Sequence, residues 1–198
     1  LTMRNPEATR EKILKKSGVL FNTKGYKATS ISEITEATGF TKGAIYRHFK
    51  SKEDLEMESL FQMSLLMMEA LRGRIKTETT APGKLKAIFH FFESYLSKPV
   101  VKGGCPLMNA AIEADDAHPR LRKTALKILD ILHNSVVAIL DNGIRYKQLK
   151  PDIDKAYYAS VIVASLEGAI MMSKLRGNND DTKRVIQHLE NQLKDLVL

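Results

Sequence analysis

A chain of 198 residues that is 43% hydrophobic and 27% charged has the apolar content for a sizeable core, which excludes wholesale disorder. Its net charge of +8 is unevenly placed: residues 1–50 hold ten Lys/Arg against four Asp/Glu, so about a quarter of the chain carries +6 of the excess. A local excess of this kind fits a module that meets a polyanion, without yet separating DNA from RNA or an anionic membrane.

From the N-terminus, Leu1-Thr2-Met3-Arg4-Asn5-Pro6 lacks the apolar core of a signal peptide, and Met3 is the candidate native start because Leu1 is not an ordinary one. Ile13, Leu14, Ser17 and Phe21 recur at helical spacing, and Gly25 stops the segment after Asn22. Ser30-Ile31-Ser32-Glu33 reads as a capping box, the Ser30 hydroxyl accepting from the third helical N–H while Glu33 reaches back. Ile31, Ile34 and Ala37 line one face of the short helix that follows. Thr38-Gly39-Phe40 breaks it, since Gly39 tolerates the positive φ of a tight turn. Thr41 caps a third helix over 42–49, in which Ile45 and Phe49 form an i,i+4 apolar pair. Ser51-Lys52-Glu53-Asp54 opens another capped helix that extends to about Arg72.

Leu85, Ile88, Phe89, Phe92 and Leu96 predict a helix over 82–97. Lys98-Pro99 and Gly103-Gly104 bracket a loop, and 107–114 reads as a short helix. From Pro119, well suited to a first helical position, Leu121, Ala125, Ile128, Leu132, Val136 and Leu140 give a long amphipathic helix. Asn142-Gly143 ends it, or Ile144 carries it one turn further. Asp152 caps a helix reaching about Leu175, and Asp180 or Asp181 starts a last one with Val185, Ile186, Leu189, Leu193 and Leu196. No segment alternates with a strand's period and no repeat is present, so the fold class is all-α. No apolar run approaches the ~20 residues of a membrane-spanning helix, and the single cysteine, Cys105, suits a reducing cytoplasm. A cytoplasmic protein with no membrane partner is expected.

The first fifty residues contain the division of labour that a helix-turn-helix requires, in which the second helix presents polar groups to base edges while its apolar side packs on the first. Over 42–49, Ile45 and Phe49 pack while Lys42, Gly43, Ala44, Tyr46, Arg47 and His48 point outward. Gly43 and Ala44 let the backbone approach a groove. Ser32 and Thr41, at helix starts, offer hydroxyl and N–H donors to phosphate oxygens. Three generic helices with an exposed basic face would read similarly on local evidence alone.

Gly25-Tyr26-Lys27-Ala28-Thr29-Ser30-Ile31-Ser32-Glu33-Ile34, followed by Ala37-Thr38-Gly39-Phe40-Thr41-Lys42-Gly43-Ala44-Ile45-Tyr46-Arg47-His48-Phe49-Lys50-Ser51-Lys52-Glu53-Asp54-Leu55, resembles the signature of the tetracycline-repressor (TetR) family. The match runs ungapped from about Thr9 to Leu60. The resemblance implies a homodimer with two DNA-binding heads on double-stranded operator DNA, and a divergent helical core that takes a small-molecule effector. It implies that Thr41, Lys42, Gly43, Tyr46 and His48 contact DNA and that Lys52 holds a phosphate. Arg47 falls where members vary and is the candidate for base readout. The expected organisation is a helix-turn-helix domain over 1–50 and an effector-binding and dimerisation domain over 51–198.

Within that second part, Tyr157 to Met172 is apolar on nearly every side with Glu167 its one charge, so it is expected to be buried on more than one face, as core and as dimer seam with the last helix. Phe61, Phe89, Phe92, Met108, His133 and Met171 are expected to face the interior as pocket candidates, with plain packing as the alternative for each. Glu167 either meets a cationic ligand or closes an ion pair. Cys105, just before a short helix, is either a buried structural cysteine or a sensor of oxidants and electrophiles, as in some relatives the resemblance implies. Without a second cysteine no internal disulfide can resolve a sulfenic acid.

No phosphate loop, nucleophile elbow or zinc-type histidine pair appears, and Asp115-Asp116-Ala117-His118-Pro119 reads as a solvated turn, so neither an enzyme nor a metal or cofactor site is expected. The function expected is a ligand-responsive repressor released from its operator by an effector. The alternatives are a thiol-based repressor acting through Cys105 and a non-specific architectural DNA binder, for which the largely neutral residues 51–198 would be superfluous.

Overall fold

The computed structural model describes residues 5–95, 97–114 and 118–198, so Leu96 and the Asp115-Asp116-Ala117 part of the expected turn lie outside the described residues. Among the described residues there are nine α-helices and no extended sheet. The helices are α1 Pro6–Lys24, α2 Ile31–Thr38, α3 Lys42–Tyr46, α4 Lys52–Ile75, α5 Ala81–Glu93, α6 Pro106–Ala114, α7 Pro119–Arg145, α8 Lys155–Arg176 and α9 Asp180–Leu196. The all-α expectation holds.

The chain divides into two compact units: residues up to Leu66 with Val101–Ile128, and Met67–Val100 with Leu129–Leu198. In the first, Ile13, Phe21, Tyr26, Ile34, Ile45, Phe49, Leu55 and Leu60 form the buried core. The α1 start is local chemistry: the Asn5 side chain accepts the N–H groups of Glu7 and Ala8, and Pro6 occupies a position whose N–H has no helical partner anyway. Its end is Gly25, at φ +102°. In the second unit, Leu85, Ile88, Phe89 and Phe92 of α5 are buried, as are Val136 and Leu140 of α7, with Ile162, Leu166 and Ile170 of α8 and Ile186, Leu189 and Leu193 of α9. By length and composition α8 is also apolar enough to cross a membrane, yet it packs against α9 and α5. Ser173 Oγ joins α8 to the first turn of α9, lying 2.9 Å from Thr182 Oγ1 and accepting the Thr182 N–H at 3.1 Å.

Several boundaries move from those read in the sequence. The helix opened by Ser51, whose hydroxyl accepts the Asp54 N–H at 3.1 Å, continues past Arg72 to Ile75. The α5 helix ends at Glu93 rather than residue 97, since Ser94 and Tyr95 turn back onto His90 and Phe92. Of the two ends read for α7 the further one holds, the helix running through Ile144 to Arg145. A Cβ at Gly143 would lie 2.5 Å from Leu149 and 2.7 Å from Ala81, so this glycine serves a close approach, while the left-handed exit falls at Lys147 (φ 55°). The α8 cap is Asp154, accepting the Tyr157 N–H at 3.0 Å, rather than Asp152. The last helix starts at Asp180 as expected.

Two pocket candidates are not interior. Phe61 is 48% exposed and Met171 42% exposed. Each sits one residue, about 100° of helix, past the side chain that does face the core, Leu60 at 0% and Ile170 at 1% exposure. An apolar pair in sequence cannot say which member points inward.

Candidate nucleic-acid interface

The ends of α2 and the start of α3 are set by local chemistry. Ser30 Oγ accepts the Glu33 N–H at 3.2 Å, and the Glu33 carboxylate accepts the Ser30 N–H at 2.8 Å, completing the reciprocal cap. Lys24 donates to the same carboxylate at 2.6 Å, and this ammonium with the Ser30 donors holds the Glu33 pKa down at about 2. Gly39 ends α2 in the left-handed region at φ 74°, and Thr41 Oγ1 accepts the Ala44 N–H at 3.2 Å to start α3. The α3 helix proper ends at Tyr46 instead of residue 49, although the N–H groups of His48 and Phe49 still turn back to the Ile45 carbonyl.

Ile45 and Phe49 are buried, so the face opposite them is displayed. Ser32, Thr41, Lys42, Gly43, Tyr46 and Arg47 are exposed, and Ala44 and His48 half-buried. A Cβ at Gly43 would meet nothing within 4 Å, so no internal packing requires glycine there. The Lys42 ammonium stands 6.0 Å from the Tyr46 ring centroid, which holds both along one side of the helix. Two further cations, Lys12 over Phe40 at 5.1 Å and Arg10 over Phe49 at 5.2 Å, join α1 to the same frame.

Lys52 is engaged within the protein. Its ammonium donates to the Tyr26 carbonyl at 2.7 Å and lies 3.0 Å from Glu56, tying the α1–α2 connection to α4. Tyr26 itself is buried and stacks on Phe21 at 5.2 Å, and burial pushes its phenol pKa well up, keeping it neutral. Sequence reasoning missed the polar clamps around this connection. The Glu113 carboxylate accepts the N–H groups of Tyr26 and Lys27, Asn22 Nδ2 donates to the carbonyls of Lys102 and Gly104, and Asn109 Nδ2 donates back to Asn22. A Cβ at Gly103 would fall 2.5 Å from the Asn22 carbonyl oxygen, so the loop lies directly on the end of α1. The one signal available was a polar residue on an otherwise apolar helical face. His118, expected in a solvated turn, is half-buried with Nε2 2.7 Å from Glu56.

The candidates for a ligand site are scattered. Phe89 and Phe92 are buried in the second unit, Phe92 edge-on to Phe91 at 5.5 Å. His133 Nε2 lies 3.1 Å from Ser160 Oγ, and Glu167 is half-buried on α8. Met108 is half-buried in the first unit, and Cys105 is buried immediately before α6. Phe61 lines a groove of about 530 Å³ in the first unit, bounded by α1, α4 and the start of α7.

Comparison with known proteins places both parts of the chain. Residues 13–56 match the family model for bacterial regulatory proteins of the tetR family, and residues 81–189 match the tetracyclin repressor-like C-terminal domain. A TetR transcriptional regulator from Chloroflexus aurantiacus is 32% identical, with 98% of each chain covered and a TM-score of 0.94. The transposon Tn10 TetC protein of Escherichia coli is 29% identical over 88% of this chain and 83% of its own length. The HTH-type transcriptional repressor DhaR of a Mycobacterium species is 21% identical over 86% of this chain and 85% of its own. The chain belongs to the TetR family of transcriptional regulators.

Proposed function

We propose that this protein is a repressor that binds operator DNA as a homodimer and leaves it when a small molecule binds its helical core. The observation that carries the reading is the exposed polar and basic face of α3, Lys42, Gly43, Tyr46 and Arg47, standing on the buried Ile45–Phe49 frame. Lys42, Arg47 and His48 supply donors for base edges and phosphates, and the open space over Gly43 suits close approach of a groove wall. Ser32 and Thr41 flank that face as phosphate donors. Lys52 reaches a phosphate only by sharing its ammonium with the Tyr26 carbonyl and Glu56.

The functional division is a DNA-reading segment over 1–50 and an effector and dimer segment over 51–198. The exposed stripe of α8 supports dimerisation: Tyr157, Ala164, Met171 and Leu175 are open to solvent, and a Cβ at Gly168 would meet nothing within 4 Å. Such a seam leaves two heads to enter successive major grooves about 34–36 Å apart. Effector release then needs a ligand that prefers a differently splayed dimer, and its effect cannot exceed that difference in affinity. Phe89, Phe92, His133 and Glu167, all in the second unit, remain the candidates for that pocket, and Met108 lies apart in the first. The burial of Cys105 favours a non-covalent effector over a thiol switch, since reactive cysteines need access. Non-specific architectural binding and catalysis have no comparable support, and the site of action is the cytoplasm.

The test is selection of bound sequences from a random DNA pool. A palindromic site preferred at least ~1,000-fold over random DNA supports the reading, and equal affinity for all sequences overturns it.

A further inference from the structure

We propose that the groove bounded by α1, α4 and the first turns of α7 binds an amphipathic organic cation, a positively charged nitrogen carried on an aromatic or alkyl body. It is separate from the effector pocket proposed above, because its walls belong to the unit that contains the helix-turn-helix.

The volume is that of a ligand site. About 530 Å³ falls inside the ~300–1,000 Å³ range of small-molecule pockets. Its walls carry Leu14, Met57, Phe61 and Leu65. Phe61 and Leu65 are 48% and 49% exposed, so two large apolar side chains stand open where a ligand body would cover them.

The charges select the sign of the ligand. Glu7 and Glu11 stand one turn apart on α1, both exposed and both on the groove wall, and neither is in an ion pair among the described residues. Like charges at this spacing repel, and a cation between them relieves the repulsion. Arg10, between them in sequence, is already answered: its guanidinium is paired with Glu58 and lies over the Phe49 ring. Lys127 is the remaining cation of the wall, exposed and on a stem long enough to turn its ammonium to water. An anionic ligand would face three carboxylates with one available ammonium. A cationic one finds two unneutralised carboxylates and, in the half-exposed Phe61 ring, a face for cation–π attraction.

The probe is benzyltriethylammonium, titrated into the full-length protein by calorimetry and followed on the methyl resonances of Met57 and Leu65, with benzenesulfonate and benzyl alcohol as anionic and neutral controls. The cation is expected to saturate, shift those methyls, and bind about tenfold or more tighter than either control, the factor that ~1.4 kcal/mol supplies. The double variant Glu7→Gln/Glu11→Gln and, separately, Phe61→Ala should each weaken it about threefold or more. All three positions are exposed, so the variants should keep the wild-type helical spectrum. Equal binding of the three compounds, unchanged affinity in either variant, or shifts confined to residues 67–100 and 129–198 would each overturn the proposal.

Discussion

Glu113 holds Tyr26 by its backbone: the α6 carboxylate accepts the Tyr26 N–H at 3.0 Å, and its second oxygen accepts the Lys27 N–H at 3.1 Å. A Cβ on the preceding Gly25 would lie 2.7 Å from the same carboxylate, so the glycine supplies both the positive φ and the space. Hydrogen bonds to a charged group are each worth about 1.5–3 kcal/mol. Glu113→Ala should therefore destabilise the protein by roughly 2 kcal/mol, allowing for partial exposure, and Glu113→Gln by less, because it keeps one acceptor. Urea unfolding of the three proteins checks the order; equal midpoints would mean the clamp contributes nothing.

Lys42→Ala and Tyr46→Ala should weaken operator binding and leave stability within about 0.5 kcal/mol of wild type, because both side chains are exposed. A phosphate contact by Lys42 would also lower the slope of log affinity against log salt by about one per protomer. Fluorescence anisotropy on the selected operator, repeated across a salt series, measures both quantities. Wild-type binding by both variants would remove α3 from the DNA interface.

The proposed dimer seam is best probed on the exposed stripe of α8, because the apolar face of the last helix is already used within the chain. Leu189 is 2% exposed within its own chain, so Leu189→Arg should unfold the protein rather than split a dimer. Met171→Arg is the appropriate probe. It should convert a dimer to a monomer in sedimentation equilibrium while the helical circular dichroism is kept, since Met171 is 42% exposed in the single chain. A monomeric wild type at micromolar concentration would refute the two-headed mechanism.

Glu33 gives a pH dependence with a definite sign. Its carboxyl is depressed from 4.5 to about 2 by Lys24 and then by the Ser30 donors. A depressed carboxyl stabilises the fold above its unfolded pKa and loses that contribution as pH falls through the folded one. Stability should thus decline between pH 4.5 and about 2 in the wild type, and Glu33→Gln should flatten the slope in that window. Identical pH profiles would show that the cap adds nothing in the folded state beyond what the unfolded chain has.

Effector response separates the two switches. Cys105→Ser should keep release from DNA by a non-covalent ligand, because the thiol is buried and serine changes little in size. Phe92→Leu should alter that response while affinity for the operator without ligand stays near wild type. Leucine is the better choice here, since Phe→Ala at a buried site costs about 3–5 kcal/mol and Phe92 is 5% exposed. Release by electrophiles lost only in Cys105→Ser would assign the switch to the thiol.

The frame of α2 and α3 was legible in the sequence because most of what shapes it acts within about four residues. The Ser30–Glu33 box, the left-handed Gly39, the Thr41 cap and the Ile45–Phe49 pair are spaced by three or four positions, and a helix turns such spacings directly into contacts. Apolar periods and caps placed in order the nine helices found among the described residues, and with them the all-α class. Tertiary packing alone decided which neighbour in an apolar pair turned inward, Leu60 over Phe61 and Ile170 over Met171, because both residues have the same chemistry and differ only by a rotation of the helix. It also decided which of the two ends read for α7 holds and why a glycine stands at 143, since the reason, Leu149 and Ala81 pressed against it, comes from elsewhere in the fold. Glu113 and Tyr26 are 87 residues apart, and no local pattern encodes a partner at that distance. Glu113 sits on a largely apolar α6, and only the folded chain brings the Tyr26 N–H within 3.0 Å of its carboxylate.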